Sequence, residues 1–426
     1  MKELLEKIPF YNSLVVPYHV LTAFRAGAQA GWPARKLKVI GVTGTNGKTT
    51  TAFMIWKMLN SSGRKAGLMT TVAWGVDKLE KQVEHMTTVD AVTLNKRIAK
   101  IAEAGAEYLV LEVTSHALAQ HRILGVPIEV AVFTNLTHEH LDYHRTQARY
   151  RKVKMKLFDK AKYGVVNADD LSCDYFMDEV PEGVTYGIRH GEVRAKDVSL
   201  GAGGVEYTLQ VINGRRKAET GLRVKTQIPG EFNVYNSLAA ACVGRRLGLT
   251  DEEIVTGLAA LDEVEGRMNR IDEGQDYEVI VDFAHTPDAF QKVFDSVTPH
   301  KGGRVISLFG GAGRRDESTR AERGEIGGKY SDIVIITEDD SRDEDPAAIA
   351  EEFVEGAEKA GCKEVLVELD RKKAIEKAVG MAKKGDLVLI LGKGHEKTIL
   401  RVDGAHPFED LKVTRKAVRK LQKSNS

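Results

Sequence analysis

A buried strand that runs directly into a glycine-rich turn and then a helix leaves few folds open to this chain. Leu37-Lys38-Val39-Ile40 is an apolar run, and it leads into Gly41-Val42-Thr43-Gly44-Thr45-Asn46-Gly47-Lys48-Thr49-Thr50. Beyond the turn, residues 51–59 carry apolar side chains at helical spacing. Glycines let backbone N–H groups face an anion, and a helix N-terminus adds its dipole. Lys48 supplies charge and Thr49 a hydroxyl suited to Mg²⁺. Gly44, Thr45, Asn46, Gly47, Lys48, Thr49 and Thr50 are therefore expected to cradle phosphate. Val42 stands where the commoner phosphate loop has its first glycine, so the pattern here is the narrower Gly-Thr-Asn-Gly-Lys-Thr form. A plain solvated turn would leave Lys48 and the threonine triplet unexplained.

Size and charge narrow the class. At 426 residues the chain has room for two or three cores. Its 62 basic and 61 acidic residues nearly cancel, which argues against a broad nucleic-acid or membrane footprint. Cys173, Cys242 and Cys362 lack metal-ligand or redox spacing, as in a reducing compartment. No apolar stretch approaches a membrane span and Met1–Lys7 has no signal-peptide core. A soluble cytoplasmic protein is expected.

The texture along the chain divides it into 1–36, 37–266 and 267–426. The first segment holds a helix near His19–Ala30 and is too short to be a domain. Strands are expected at Ala66–Trp74, Tyr108–Val113, Val130–Leu136 and Tyr163–Asn167, alternating with helical patterns, which implies a parallel sheet. Val193–Leu200, Val205–Ile212 and Leu222–Ile228 alternate apolar and polar residues around Gly201-Ala202-Gly203-Gly204 and Asn213-Gly214, predicting a small antiparallel patch. A second α/β block follows, with strands at Glu278–Phe283, Val305–Phe309, Ile333–Thr337, Val365–Leu369 and Leu387–Leu391. The fold class is α/β, with a site expected in the cleft between the blocks.

Three clusters carry chemistry. Glu112 ends a strand opposite the phosphate loop, where a carboxylate suits Mg²⁺; capping of the next helix is the bland alternative. His138, Glu139, His140, Asp142 and His144 fall within one short stretch, dense enough to suggest metal. Their spacing is one residue longer than in di-zinc hydrolases, because of Tyr143, so His140 alone is expected to be a ligand. Lys154 lies on what would otherwise be a basic helix face.

Taken in order and spacing, Gly44–Thr50, Glu112–Leu118, Thr134–His144 and Lys154–Phe158 resemble the Mur ligase family, most nearly its MurE-type tripeptide-synthetase branch. Further matches are Asn167–Asp170, Gly230–Asn236, Glu265–Met268, Val281–Ala289, Phe309–Asp316, Asp370-Arg371 and Gly392–Glu396. The resemblance implies a central P-loop domain and a C-terminal Rossmann-like domain. It implies an ATP-dependent ligase with Mg²⁺ on Thr49, Glu112, His140 and a carbamylated Lys154. Carbamylation would turn that cation into an oxygen ligand, which Mg²⁺ prefers. By the same likeness Asn233, Asn236, Arg267 and Asp282 contact nucleotide, and Thr87, Thr88, Thr114, Gln120 and Arg122 hold a muramoyl-dipeptide acceptor.

The incoming amino acid is expected at Arg315, Asp339, Asp340, Ser341, Arg342, Gly392 and Glu396. Relatives that add diaminopimelate have Asp-Asn-Pro-Arg where this chain has Asp339-Asp340-Ser341-Arg342. Arg342 suits a distal carboxylate, which lysine lacks. Asp340 would instead favour an amine unless it merely caps the helix before Pro346. Diaminopimelate is favoured over lysine. Only 36 residues precede the first strand, so the family's UDP-binding N-terminal domain is expected to be missing or reduced, with the acceptor held through its muramoyl peptide or by a partner chain. A monomer is expected. The rival expectations are a folylpolyglutamate-synthetase-like ligase, a zinc hydrolase on the histidine cluster, and a non-catalytic ATP-binding subunit.

Overall fold

The first sheet is built around the strand that delivers the phosphate loop. In the computed structural model, which describes residues 11–84, 86–201, 203–212, 221–300, 302–315 and 317–425, that strand is β1 (Lys38–Thr43). Residues 1–10, Ala202, the predicted Asn213-Gly214 turn and Asp316 lie outside the described residues. The sheet adds β2 (Ala66–Met69), β3 (Ala73–Gly75), β4 (Leu79–Lys81), β5 (Tyr108–Glu112), β6 (Ile128–Phe133), β7 (Ala161–Asn167) and β8 (Gly183–Gly187). It ends with β9 (Val193–Gly201), β10 (Gly204–Val211) and β11 (Leu222–Thr226). Its order is β11-β10-β9-β8-β7-β6-β1-β5-β2-β3-β4, parallel from β8 to β2 and antiparallel beyond β9 and in the β2-β3-β4 meander.

Strands in the parallel part are apolar throughout because helices cover both faces. Lys48–Ser61 and Glu231–Arg246 pack on one face, with Ile55, Met58 and Leu238 fully buried. Ala91–Glu103 and Gln147–Met155 cover the other, with Leu94, Ile98 and Tyr150. The chain leaves β1 towards β2 and β5, then crosses to β6, β7 and β8 on the opposite side. A crevice therefore opens at the carboxyl ends flanking β1. The parallel register sets Val42 beside Glu112, which brings the predicted carboxylate to the loop.

Two departures from the sequence expectation have local causes. Ala66–Trp74 is not one strand, because Thr70 turns the chain. The Thr70 Oγ1 accepts from the N–H groups of Val72 and Ala73, an ST-type turn that competes with the extended form. β8, which pairs in parallel with both β7 and β9, is absent from the sequence expectation: it is half-buried at its start and has glycine at both ends.

The second sheet comprises β12 (Asn269–Arg270), β13 (Glu278–Asp282), β14 (Val305–Phe309), β15 (Ile333–Ile336), β16 (Glu364–Val367) and β17 (Leu387–Leu391). Its order is β12-β13-β17-β14-β15-β16, parallel except at β12. The C-terminal helix Asp410–Asn425 is pinned beneath it by a fully buried pair: Arg371 Nη2 donates to Asp410 Oδ2 at 2.7 Å. Arg371 also donates through Nε to Asp410 Oδ1 and to the Glu338 and Leu391 carbonyls.

Candidate active site

The loop after β1 takes its shape from two glycines. Gly47, with φ of 84°, caps the helix Lys48–Ser61, and a Cβ there would press into the Asn236 carboxamide. At Gly44 a Cβ would strike the Thr134 hydroxyl. Two lysine side-chain nitrogens converge beneath this turn. Lys48 Nζ donates to the Thr45 carbonyl at 2.6 Å, and Lys154 Nζ to the Gly44 carbonyl at 2.6 Å. Lys154 is 1% exposed. Burial, and then the nearby Lys48 charge, hold its amine well below the usual lysine range. A neutral amine is the form that takes up CO₂ to give a carbamate and a proton.

Glu112 does not cap a helix; Thr114 caps Ser115–Ala119. Its carboxylate instead accepts from the Thr49 hydroxyl at 3.2 and 3.1 Å and from the Thr71 N–H at 3.1 Å. Arg267 reaches over from the second block, donating to Thr49 Oγ1 at 3.2 Å. These oxygens are hard donors of the kind Mg²⁺ takes, and His140 and Lys154 lie beside the same loop. As an amine Lys154 offers no oxygen, so the set fits Mg²⁺ fully only with Lys154 as its carbamate.

Glu139 is the functional candidate that the sequence reading passed over. It is 5% exposed, accepts from the Tyr150 hydroxyl at 3.2 Å, and faces His285 Nε2 at 3.3 Å and His140 Nε2 at 3.6 Å. Burial pushes its carboxyl up, but the His140, His285 and Lys48 charges outweigh this and hold it well below the usual range. A buried carboxylate whose Tyr partner lies eleven residues away, across a break between two short helices, gives no periodic signal; only its place among the histidines could have flagged it.

The zinc arrangement is not formed. His138 and Asp142 are exposed, while His144 is buried and its Nε2 meets the Ser115 hydroxyl at 2.9 Å. His116 intervenes, its ring 4.8 Å from that of His140 and 4.4 Å from that of Tyr143. Burial first, then His140 and His144, push the His116 imidazole down to about 2, so it is neutral.

On the acceptor side, Thr87 and Thr114 line the cleft and Thr88 lies just behind it. The Thr88 hydroxyl donates to the Glu112 carbonyl at 2.9 Å and accepts from the Thr114 N–H at 3.0 Å. Arg122 is braced by Gln120, whose Oε1 accepts from its Nε at 3.0 Å and its Nη2 at 2.7 Å, and by the Thr88 carbonyl.

Of the residues expected on the amino-acid side, Arg315 and Glu396 line the cleft and the others do not. Asp339, Asp340 and Ser341 are buried behind the cleft, and Lys393, fully buried, fills the space between the acids. Its Nζ donates to Asp340 at 2.7 Å, Asp339 at 3.2 Å and Glu396 at 2.6 Å. Asp340 also accepts from the Leu400 N–H at 2.9 Å. Asp340 thus shares the Lys393 ammonium with Asp339 and Glu396. It does not cap the next helix; Asp345 does. Ser341 donates to Glu338 at 2.9 Å. Gly392 adopts φ of 110° over the Asp339 carboxylate. Arg342, with φ of 53°, turns its guanidinium to the Gly313 carbonyl. Burial, then the neighbouring Arg315, lower its pKa.

The two blocks enclose a cavity of about 890 Å³ lined by the phosphate loop, Glu112, His140, Asn233, Asn236, Arg267, Asp282, Arg315 and Glu396. Asn236 is tied from behind to Asn233 at 2.8 Å and to the Thr51 hydroxyl at 3.1 Å. Asp282 accepts from the Met268 and Ala284 N–H groups, both at 2.7 Å; burial nevertheless raises its pKa, with Arg267 opposing.

Two family models match the chain: Mur ligase middle domain over residues 42–244, and Mur ligase, glutamate ligase domain over residues 266–394. The UDP-N-acetylmuramyl-tripeptide synthetase of Roseiflexus sp. (strain RS-1) is 39% identical, covering 97% of this chain and 85% of that protein. The UDP-N-acetylmuramoyl-L-alanyl-D-glutamate--2,6-diaminopimelate ligase 1 of Clostridium acetobutylicum is 38% identical, covering 91% and 80%. Among solved structures, a UDP-N-acetylmuramoyl-L-alanyl-D-glutamate--2,6-diaminopimelate ligase superposes with a TM-score of 0.64 at 30% identity, covering 93% of this chain and 83% of that one. A Mycobacterium tuberculosis folylpolyglutamate synthase, complexed with ADP and AMPPCP, reaches 0.73 over 94% of both chains at 18% identity, a likeness of fold alone. With the phosphate loop, its carboxylate and both blocks accounted for, this chain belongs to the Mur ligase family.

Proposed function

We propose that this chain uses ATP to join 2,6-diaminopimelate to a muramoyl-L-alanyl-D-glutamate acceptor, forming an amide through an acyl phosphate. The observation that carries the reading is the cleft itself: the phosphate loop on one wall faces Arg315 and Glu396 of the second block on the other. The preference for diaminopimelate rests on Arg315 and Arg342, two neighbouring guanidinium groups suited to a second carboxylate. Asp340, the one feature that favoured lysine, is engaged by Lys393.

In this reading residues 37–266 bind ATP and acceptor, and residues 267–426 bring the amino acid. Lys48 and the loop N–H groups hold the triphosphate against the acceptor carboxylate, which Thr87, Thr114 and Arg122 orient. The carboxylate oxygen attacks the γ-phosphorus and ADP leaves. The α-amine then attacks the acyl carbon, losing a proton, and inorganic phosphate departs. Arg267 and His285, contributed by the second block, screen the reacting centre from water that would hydrolyse the acyl phosphate. Thr49, Glu112, His140 and carbamylated Lys154 would hold magnesium, which supplies charge neutralisation on the phosphates. Asn233, Asn236, Arg267 and Asp282 surround the nucleoside. ATP dependence and three free cysteines suit the cytoplasm.

ADP release with Mg²⁺, ATP and UDP-muramoyl-L-alanyl-D-glutamate, run across a panel of amino acids, tests the reading. Diaminopimelate should support the fastest turnover, and carboxyl-¹⁸O acceptor should deliver label to the released phosphate. Faster turnover with lysine would reverse the amino-acid assignment.

A further inference from the structure

Asn46 is braced from both sides of the cleft. Its backbone belongs to the first block: the N–H donates to Asn135 Oδ1 at 2.9 Å, and the carbonyl accepts from Thr134 Oγ1 at 2.7 Å and Asn135 Nδ2 at 3.1 Å. Its side chain belongs to the second. Asn46 Nδ2 donates to Asp288 Oδ2 at 2.8 Å, with the Thr286 hydroxyl further off at 3.4 Å. Both partners open the helix Pro287–Val297, which Thr286 caps through the Ala289 N–H.

A carboxylate this near a phosphate loop would repel an incoming polyanion if left bare. Lys292, one turn on, neutralises it by donating to Asp288 Oδ2 at 2.8 Å. The pair thus presents a balanced charge and still offers Asn46 a strong acceptor. Asp288 is partly buried, at 27% exposure, so solvent competes with this bond only in part. Without that bond the Asn46 amide has no anchor in the second block, and the loop keeps only its backbone braces.

We infer that Asp288 is a positioning residue that couples docking of the second block to the shape of the phosphate loop. It touches no reacting atom; it holds Asn46, and through Asn46 the loop N–H groups, in the arrangement that phosphoryl transfer requires. The inference rests on the ligase reading for its kinetic consequence and on geometry alone for its conformational one. Because the bond spans the two blocks and leaves the loop's backbone braces in place, its removal acts on turnover more than on initial nucleotide capture.

The test is a kinetic and scattering comparison of wild type, Asp288→Ala, Asp288→Asn, Asn46→Ala and the Asn46→Ala/Asp288→Ala pair. Asp288→Ala should lower kcat at least tenfold with the KM for ATP within about twofold. Asp288→Asn keeps an acceptor oxygen and should recover most of the loss. The double variant should be no worse than Asn46→Ala alone. By small-angle scattering, a non-hydrolysable ATP analogue should contract wild type, and Asp288→Ala by less than half as much. Wild-type kcat in Asp288→Ala, a loss carried by KM, additive effects in the double variant, or full contraction would each overturn the inference. Failure of wild type to form amide would sink the ligase reading instead, leaving the scattering arm to decide this one.

Discussion

The Thr49 hydroxyl and the Glu112 carboxylate, 63 residues apart in sequence, are held within hydrogen-bond reach, at 3.2 and 3.1 Å to the two oxygens. Glu112 is 2% exposed and Thr49 3%. A carboxylate and a hydroxyl so placed make a hard-oxygen pair at the mouth of the phosphate loop. Glu112→Gln keeps the shape and removes the charge. It should reduce ADP release about 100-fold and raise the magnesium concentration needed for half-maximal rate. A magnesium titration of both proteins checks this, and an unchanged half-saturation point would contradict the assignment.

Lys154 should behave as a carboxylate in the working enzyme. Lys154→Ala is expected to lose activity about 100-fold, with partial recovery on adding a short carboxylic acid. The wild-type enzyme, dialysed against CO₂-free buffer, should slow and recover with bicarbonate. Indifference to both additions would mean that the buried amine acts as such.

Arg371 and Asp410 are both fully buried and paired at 2.7 Å. Arg371→Leu leaves Asp410 without its partner beneath the second sheet and should cost about 3–5 kcal/mol of stability. Urea unfolding measures this. Replacing both residues with leucine should recover most of the loss, since the penalty comes from the orphaned charge.

His144 gives the fold a pH dependence of definite sign. Burial first, then the neighbouring His140, push its imidazole down to about 4 in the folded state. The unfolded chain therefore takes up a proton that the folded chain refuses. Stability falls as pH drops from about 6.5 towards about 4, by no more than about 2 kcal/mol from this group after solvent screening. His144→Gln should flatten that part of a urea-midpoint profile. An unaltered slope would show that other groups carry it.

Much of this was readable from local pattern. The parallel strands of both sheets are short apolar runs because two helical layers bury both their faces. Val305–Phe309 and Leu387–Leu391 accordingly lie where expected. The phosphate loop was readable because turn, charge and helix start are consecutive. Thr70 was not, since whether its hydroxyl bends the chain depends on what the next residues pair with.

The candidate site divides along the same line. Local sequence points to Lys48 and Glu112 through their neighbours along the chain and to His140 through its histidine cluster, whereas Lys154 stands out only through the order of motifs that resembles the family. Which groups are free to act was decided only by tertiary structure. Asp340 meets a lysine 53 residues away, and Glu139 meets a histidine 146 residues away. Charge pairing across such separations acts through space, so a residue's availability depends on what the fold folds against it.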